Sequence, residues 1–230
     1  MSDTTAINQA YFNKIASEYD QRYAKTIGPL EEEMKASIDF IGIKEGGRLL
    51  DYACGTGLLS RAFQNHVGQC VGVDVSESMV EAYNAKAKSE NIPPEKRFAH
   101  IGNLLSVTTS PNLDAPEFTG FDVAGVGAGF HHFDDPTLAA TRIGERLAPG
   151  GSFFILDFVP HDVERGHSAA HGVKHHGFSE ETMRGVFEGA GVGGAFAYKL
   201  LDSEVTFENA HGEGKHMHRR FFLARGTKTA

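Results

Sequence analysis

The sequence predicts an α/β fold built on a mostly parallel sheet, and three observations carry that expectation. Apolar strand patterns alternate with helix patterns through the centre of the chain, a glycine-rich turn follows the first of those strands, and the last two strand patterns have no helix between them. Alternation of strands and helices leads to a parallel sheet with right-handed crossovers, whereas two strands joined without a helix pair antiparallel. A chain of 230 residues can bury one continuous core, since single cores grow to ~250 residues before splitting.

The first unit is LLDYACGTGLLS, residues 49–60. Leu49, Leu50, Tyr52 and Ala53 make a short buried strand, Gly55 and Gly57 let the backbone turn tightly and approach a ligand, and LLSRAF starts a helix. The amides and positive end of that helix face whatever occupies the turn, which suits a nucleotide-like cofactor bearing a carboxylate or phosphate. Further strands are expected near 70–75, 97–102, 121–127 and 151–159 after the first at 48–53, with helices near 58–66, 77–89, 135–147 and 179–190. Ser76 is placed to cap the helix that starts near Glu77. AFAYKLL and HMHRRFFLAR, the last two apolar patterns, form a hairpin.

The turn separates two classes of cofactor. A dinucleotide fingerprint wants a third glycine or an alanine where this chain has Ser60. Asp51 instead precedes Gly55 by four residues, and D-Y-A-C-G-T-G resembles motif I of the class I S-adenosylmethionine-dependent methyltransferases. Four more segments follow in that family's order: VGVDVSESMV, RFAHIGNLL, FDVAGVGAGFHHFDDP and LAPGGSFFILDF. The resemblance implies a Rossmann-like seven-stranded sheet in the order 3-2-1-4-5-7-6, strand seven antiparallel, with helices on both faces and S-adenosyl-L-methionine as cofactor. Asp74, at a strand end, offers two carboxylate oxygens to a ribose diol. The resemblance implies further that Val75 and Met79 flank the adenosine, that Gly102, Asn103 and Leu104 meet the adenine, and that Asp51, Ala53, Cys54, Gly55, Gly57 and Gly127 surround the methionine end. Where the family often has aspartate, Asn103 accepts from the adenine amino group through its carbonyl.

YFNKIASEYDQRY, residues 11–23, resembles the F-D-x-I-A-x-x-Y-D segment that covers the cofactor in ubiquinone-biosynthesis-type methyltransferases. On that reading Tyr19 meets the cofactor while Tyr11 and Tyr23 meet the acceptor. On the plainer reading Phe12, Ile15 and Tyr19 share one helical face and pack on the core. The expected organisation is one domain: a helical lid over 1–45, a cofactor core over 46–158, and a substrate-side loop, helix and hairpin over 159–230.

The activity implied is in-line transfer of a sulfonium methyl group to an O, N, S or C atom of a small molecule. A hydroxyl acceptor profits from a general base, and His131 is the leading candidate, with His132 beside it and Asp157 at the end of strand five. Structural roles for all three stand as the alternative. Eight of the twelve histidines follow residue 160, and His167, His171 and His175 recur every four residues. That spacing invites a zinc reading, but Gly166, Gly172 and Gly177 weaken any helix there, so no metal is expected. His171 and His175 are taken as acceptor-pocket residues, a solvated loop being the other reading.

A net charge of -8 argues against a phosphate-backbone surface, so nucleic acid is not an expected partner. No apolar run approaches the ~20 residues of a membrane span, and the N-terminus lacks a basic-then-apolar signal. Two cysteines make no disulfide framework, which fits the reducing cytoplasm. A homodimer is one assembly open to the chain. Two other classes remain: a nicotinamide-dependent oxidoreductase, and a protein that binds the methyl donor without catalysis.

Overall fold

The computed structural model describes residues 3–106, 113–162, 172–207 and 217–229. Four helices come first, α1 (Asp3–Ile15), α2 (Tyr19–Arg22), α3 (Ala24–Lys35) and α4 (Ile38–Ile41). The core then alternates: β1 (Arg48–Tyr52), α5 (Leu58–Phe63), β2 (Gln69–Asp74), α6 (Glu77–Ser89), β3 (Arg97–Ile101), β4 (Phe121–Gly127), α7 (Pro136–Gly144) and β5 (Leu147–Phe158). After it come α8 (Glu180–Gly189), β6 (Gly194–Phe207) and β7 (Met217–Thr227).

The seven strands lie in the order β3-β2-β1-β4-β5-β7-β6, the order expected. Pairs β1 to β2, β1 to β4, β2 to β3 and β4 to β5 are parallel, and β7 runs antiparallel to both neighbours. Alternate residues of β1, β2, β4, β5 and β7 feed two cores. Leu50, Val71, Ala124, Phe153 and Phe222 pack on the side of α7 and α8, while Leu49, Cys70, Val123, Phe154 and Phe221 pack on the side of α3 and α5. Both faces being covered is why β1, β2 and β5 read as continuous apolar runs rather than alternating ones.

Helix starts follow their caps. Ser76 accepts from the Met79 amide, Asp135 from Leu138 ahead of Pro136, and Ser179 from Thr182, each satisfying an amide with no partner inside its helix. Helix ends were less legible. α5 stops at Phe63 and α7 at Gly144, three residues short of expectation in each case. For α7 the cause is tertiary: Leu147 already pairs with Phe121, so β5 begins before its glycines and shifts register to Ser152 opposite Val123. β6 likewise runs on to Phe207, because β7 offers it a partner that far.

Candidate functional site

The carboxyl ends of β1 and β4 diverge at the point where strand order reverses, which is where open α/β sheets bind ligands. A cavity of about 590 Å³ opens there, within the ~300–1,000 Å³ of pockets that bury a drug-sized ligand. The turns after β1 and β4 each hold an alanine in the left-handed region, Ala53 and Ala128, both at φ 55°. Gly55 also has positive φ, and a Cβ there would meet no atom within 4 Å, so the backbone itself faces open space. Gly57 caps α5 at φ 95°, and a side chain there would strike the Tyr83 ring at 2.9 Å.

Asp74 ends β2 at the cavity wall. Its two oxygens accept from the Ser76 amide at 2.9 Å and the Gly55 amide at 2.8 Å. Burial pushes its pKa up, and those amides pull against the rise. A carboxylate has about four lone-pair sites, so acceptor capacity remains on it for a hydroxyl donor. With the open floor at Gly55, and Val75 and Met79 lining the same wall, these residues fit the ribose end of the expected cofactor.

α1 to α3 roof the cavity and touch both halves of its rim. Asn13 accepts from the Ser76 hydroxyl at 2.6 Å and donates to Glu77 at 3.0 Å, while Thr4 donates to Asp134 beyond β4 at 2.7 Å. Asp20 accepts from the Thr56 hydroxyl at 2.6 Å and is paired with Lys86. Burial works to raise the Asp20 pKa, but the bonds from Lys86 and Thr56 outweigh it and hold the carboxyl below its usual value. Tyr11, Tyr19 and Tyr23 line the cavity from this roof. They also pack with Phe12 on Met79, so the lid and packing readings describe the same contacts.

At the opposite wall His131 lies in the first turn after β4, 7% exposed. Its Nδ1 is 2.8 Å from Asp157 Oδ1. Asp157 is wholly buried at the end of β5 and also accepts from the His131 amide at 3.1 Å and the Phe158 amide at 2.7 Å. Asp157 orients the imidazole through Nδ1, so Nε2 is the ring nitrogen turned away from that carboxylate. His131 is a cavity-lining group and Asp157 is not.

Several expectations need correcting. Asp51 does not reach the cavity: it is 1% exposed and accepts from both the amide and the hydroxyl of Ser60, at 3.1 and 2.7 Å. Gly57, Gly102 and Leu104 stand behind the wall rather than in it. The Asn103 carbonyl is already committed, accepting from the Leu105 amide at 2.9 Å and the Tyr52 hydroxyl at 3.3 Å, so its remaining group toward an adenine is a donor. Asp157 is not among the cavity-lining residues and is bonded to His131 instead. His132 lines the cavity beside His131, with Nδ1 3.2 Å from the Gly172 carbonyl and its ring edge-on to Phe12 at 5.4 Å. His175 lines the cavity, but its Nε2 donates to the Phe133 carbonyl at 3.0 Å. His171 and His167 lie outside the described residues. Ala53, Cys54, Gly55 and Gly127 line the cavity.

Sequence reasoning missed Asn8, Arg22, Phe158, His161, His176, Phe207 and Arg219, all cavity-lining. Asn8 was findable, being one helical turn from Phe12; its buried Oδ1 has no hydrogen-bond partner among the described residues. Phe158 and His161 follow from the rule that ligands sit beyond strand ends. Phe207 and Arg219 depend on the hairpin register, which no local signal specifies.

A family model described as "Methyltransferase domain" matches residues 25–192. The chain is similar to an uncharacterized methyltransferase of Schizosaccharomyces pombe, 29% identical and covering 91% of this chain and 87% of that protein. It is 30% identical to the ubiquinone/menaquinone biosynthesis C-methyltransferase UbiE of Hydrogenovibrio crunogenus over 64% of this chain, and spans 56% of that relative's length. In fold it is similar to a Haemonchus contortus phosphoethanolamine N-methyltransferase solved with S-adenosyl-L-methionine, with a TM-score of 0.64, 15% identity, and coverage of 86% of this chain and 53% of that one. The family match sets aside the nicotinamide-dependent alternative. No helix among the described residues is long and apolar enough to cross a membrane.

Proposed function

This chain belongs to the methyltransferase-domain family, with S-adenosylmethionine as its cofactor, and from that premise we propose that it methylates a hydroxyl group of a small molecule using His131 as general base. The observation that carries this reading is the His131–Asp157 pair, 2.8 Å apart, at the wall of the cavity that begins at Gly55 and Asp74. When bound, the cofactor supplies a methyl carbon on a sulfonium, open to attack by an acceptor lone pair. A thiolate or neutral amine attacks unaided, whereas a hydroxyl is a poor nucleophile until its proton leaves.

Asp74 would hold the ribose hydroxyls of the bound cofactor, Gly55 and its neighbours would admit the methionine portion, Val75 and Met79 would flank the base, and Asn103 would offer it a donor. The roof formed by α1 to α3 excludes water, which strengthens every polar contact beneath it. His131 Nε2 takes the acceptor proton, and Asp157 stabilises the imidazolium so formed while fixing the ring's tautomer and angle. Asp157 is therefore a positioning residue. The three parts of the chain divide the work as lid (1–45), cofactor core (46–158) and acceptor side (159–230), within one domain.

The test is transfer of a radiolabelled methyl group from the donor to components of a metabolite extract, with wild type and His131→Asn compared. Asparagine keeps a donor toward Asp157 but lacks Nε2. The variant is expected to turn over ~10²–10⁴-fold more slowly with S-adenosylhomocysteine affinity unchanged by calorimetry. Undiminished turnover removes the general base; tight cofactor binding with no transfer in wild type favours the catalytically silent alternative.

A further inference from the structure

The short helix α2 carries two hydrogen-bond donors that the chain itself leaves unused. Tyr19 and Arg22 both line the cavity, and at a spacing of three they lie on one face of that helix. Among the described residues neither the Tyr19 hydroxyl nor the Arg22 guanidinium has a hydrogen bond or an ion pair. Their contacts are with rings instead: Tyr19 meets Tyr23 at 4.9 Å and Phe12 at 6.4 Å, and Arg22 lies 5.6 Å from the centre of the Tyr23 ring. Burial, with Tyr23, Asp20 and Asp74 behind it, pushes the Tyr19 phenol well above its ordinary pKa, so the hydroxyl keeps its proton. The charge of Arg22 reaches the cavity side of the roof. Burial and the Tyr23 hydroxyl push the Tyr11 phenol up, and Arg22 pulls against them.

Asp20, between the two donors in sequence, fixes where they stand. It accepts from the Thr56 hydroxyl at 2.6 Å and pairs with Lys86, while Arg61 donates to the Thr56 carbonyl at 2.8 Å. α2 is therefore pinned to the turn of Gly55 and Thr56, the turn given above to the methionine portion of the cofactor. The carboxylates on that side are already engaged, Asp20 by Thr56 and Lys86 and Asp74 by the Gly55 and Ser76 amides. Two donors without a protein acceptor match a ligand group that only accepts, and a carboxylate is such a group. A guanidinium meets it in bidentate geometry, and a hydroxyl adds a third bond. The cofactor bears one carboxylate, on its amino-acid end.

We propose that Arg22, helped by the Tyr19 hydroxyl, binds the amino-acid carboxylate of the cofactor and makes it the group by which the roof selects its ligand. Nucleosides that share the adenosine but lack the carboxylate are then held by the core alone. The assignment rests on the methyl-transfer reading and adds to it the residue that distinguishes the whole cofactor from its fragments.

Calorimetry with three probes tests it: S-adenosylhomocysteine, its carboxamide, in which a neutral primary amide replaces the carboxylate, and methylthioadenosine, which lacks the amino-acid end. Wild type is expected to bind S-adenosylhomocysteine ~10-fold or more tightly than the carboxamide. Arg22→Gln is expected to erase that preference while leaving the affinities for the carboxamide and methylthioadenosine as they were. Arg22 is exposed, so the substitution removes no core packing, and methylthioadenosine binding checks that the variant is folded. Tyr19→Phe is expected to lessen the same preference without abolishing it. Equal binding of S-adenosylhomocysteine and the carboxamide by wild type overturns the proposal. So does a preference that survives in Arg22→Gln, which would assign the guanidinium to another anion such as an acidic acceptor, and so does an equal loss of all three probes, which would mark a merely structural role. The comparison in wild type stands even if a variant does not fold. Failure of all three probes to bind wild type refutes the methyl-transfer reading, and this inference with it.

Discussion

Replacing Asp51 by asparagine should stabilise this protein at pH 8, and by an amount that the structure sets. Burial raises the Asp51 pKa from 3.8 to about 7, against the lowering effect of the Ser60 hydroxyl and amide bonds. A difference of ~3 units between unfolded and folded chain is worth ~4 kcal/mol, at 1.36 kcal/mol per unit. The direction follows from proton counting. Between pH 4 and pH 7 the folded state keeps a proton that the unfolded chain has released, so stability falls as pH rises through that window. Below it both states are protonated and nothing is lost; above it the full cost is present. Asparagine accepts the same two Ser60 bonds without a charge, while its amide NH₂ lies in a dry site at a cost of ~1–3 kcal/mol if it finds no partner. A net gain of ~1–3 kcal/mol at pH 8 is expected, shrinking or reversing at pH 4. Urea unfolding of wild type and Asp51→Asn at both pH values measures it, with m-values compared to confirm that the unfolded state is unchanged. A variant less stable than wild type at pH 8, or a difference that does not vary with pH, would show that Asp51 is stabilised as a carboxylate and refute the reasoning. Because Asp51 faces Ser60 rather than the cavity, S-adenosylhomocysteine affinity should stay within a few-fold.

Two further outcomes are open to measurement. Asp74→Ala removes the ribose acceptors and also the bond that anchors the Gly55 amide, so S-adenosylhomocysteine should bind ~5–150-fold more weakly, corresponding to ~1–3 kcal/mol; unchanged affinity by calorimetry removes Asp74 from the site. Ala53→Gly relieves a left-handed φ of 55°, a strain of ~1 kcal/mol for a residue with a Cβ, and should raise Tm by ~2–4 °C; a lower Tm means that the Ala53 methyl, 3.4 Å from where a Cβ on Gly129 would stand, contributes more packing than the strain costs.

Much of the site was legible because its chemistry is local. The turn of Gly55 and Gly57, the carboxylate of Asp74 at a strand end and the Ser76 cap each follow from a few consecutive residues. The five ordered segments then implied the strand order that is observed. Legibility failed where a side chain had a choice of direction. Asp51 turns to Ser60, nine residues on, and Asn103 spends its carbonyl on Tyr52, 51 residues back. Neither choice leaves a trace in spacing, since the partner is supplied by packing.

The chain's own pattern of apolar runs, glycines and caps was enough to settle the alternating core and the glycine turn after its first strand, because hydrogen bonding and hydrophobic periodicity act over a few residues. Folding settled the rest. It brought Asp157 to His131 across 26 residues, set α1 to α3 over the rim, and carried Phe207 and Arg219 from the last hairpin into the cavity wall. Those placements depend on register between strands and on which faces close against each other, and burial of the whole surface at once selects them.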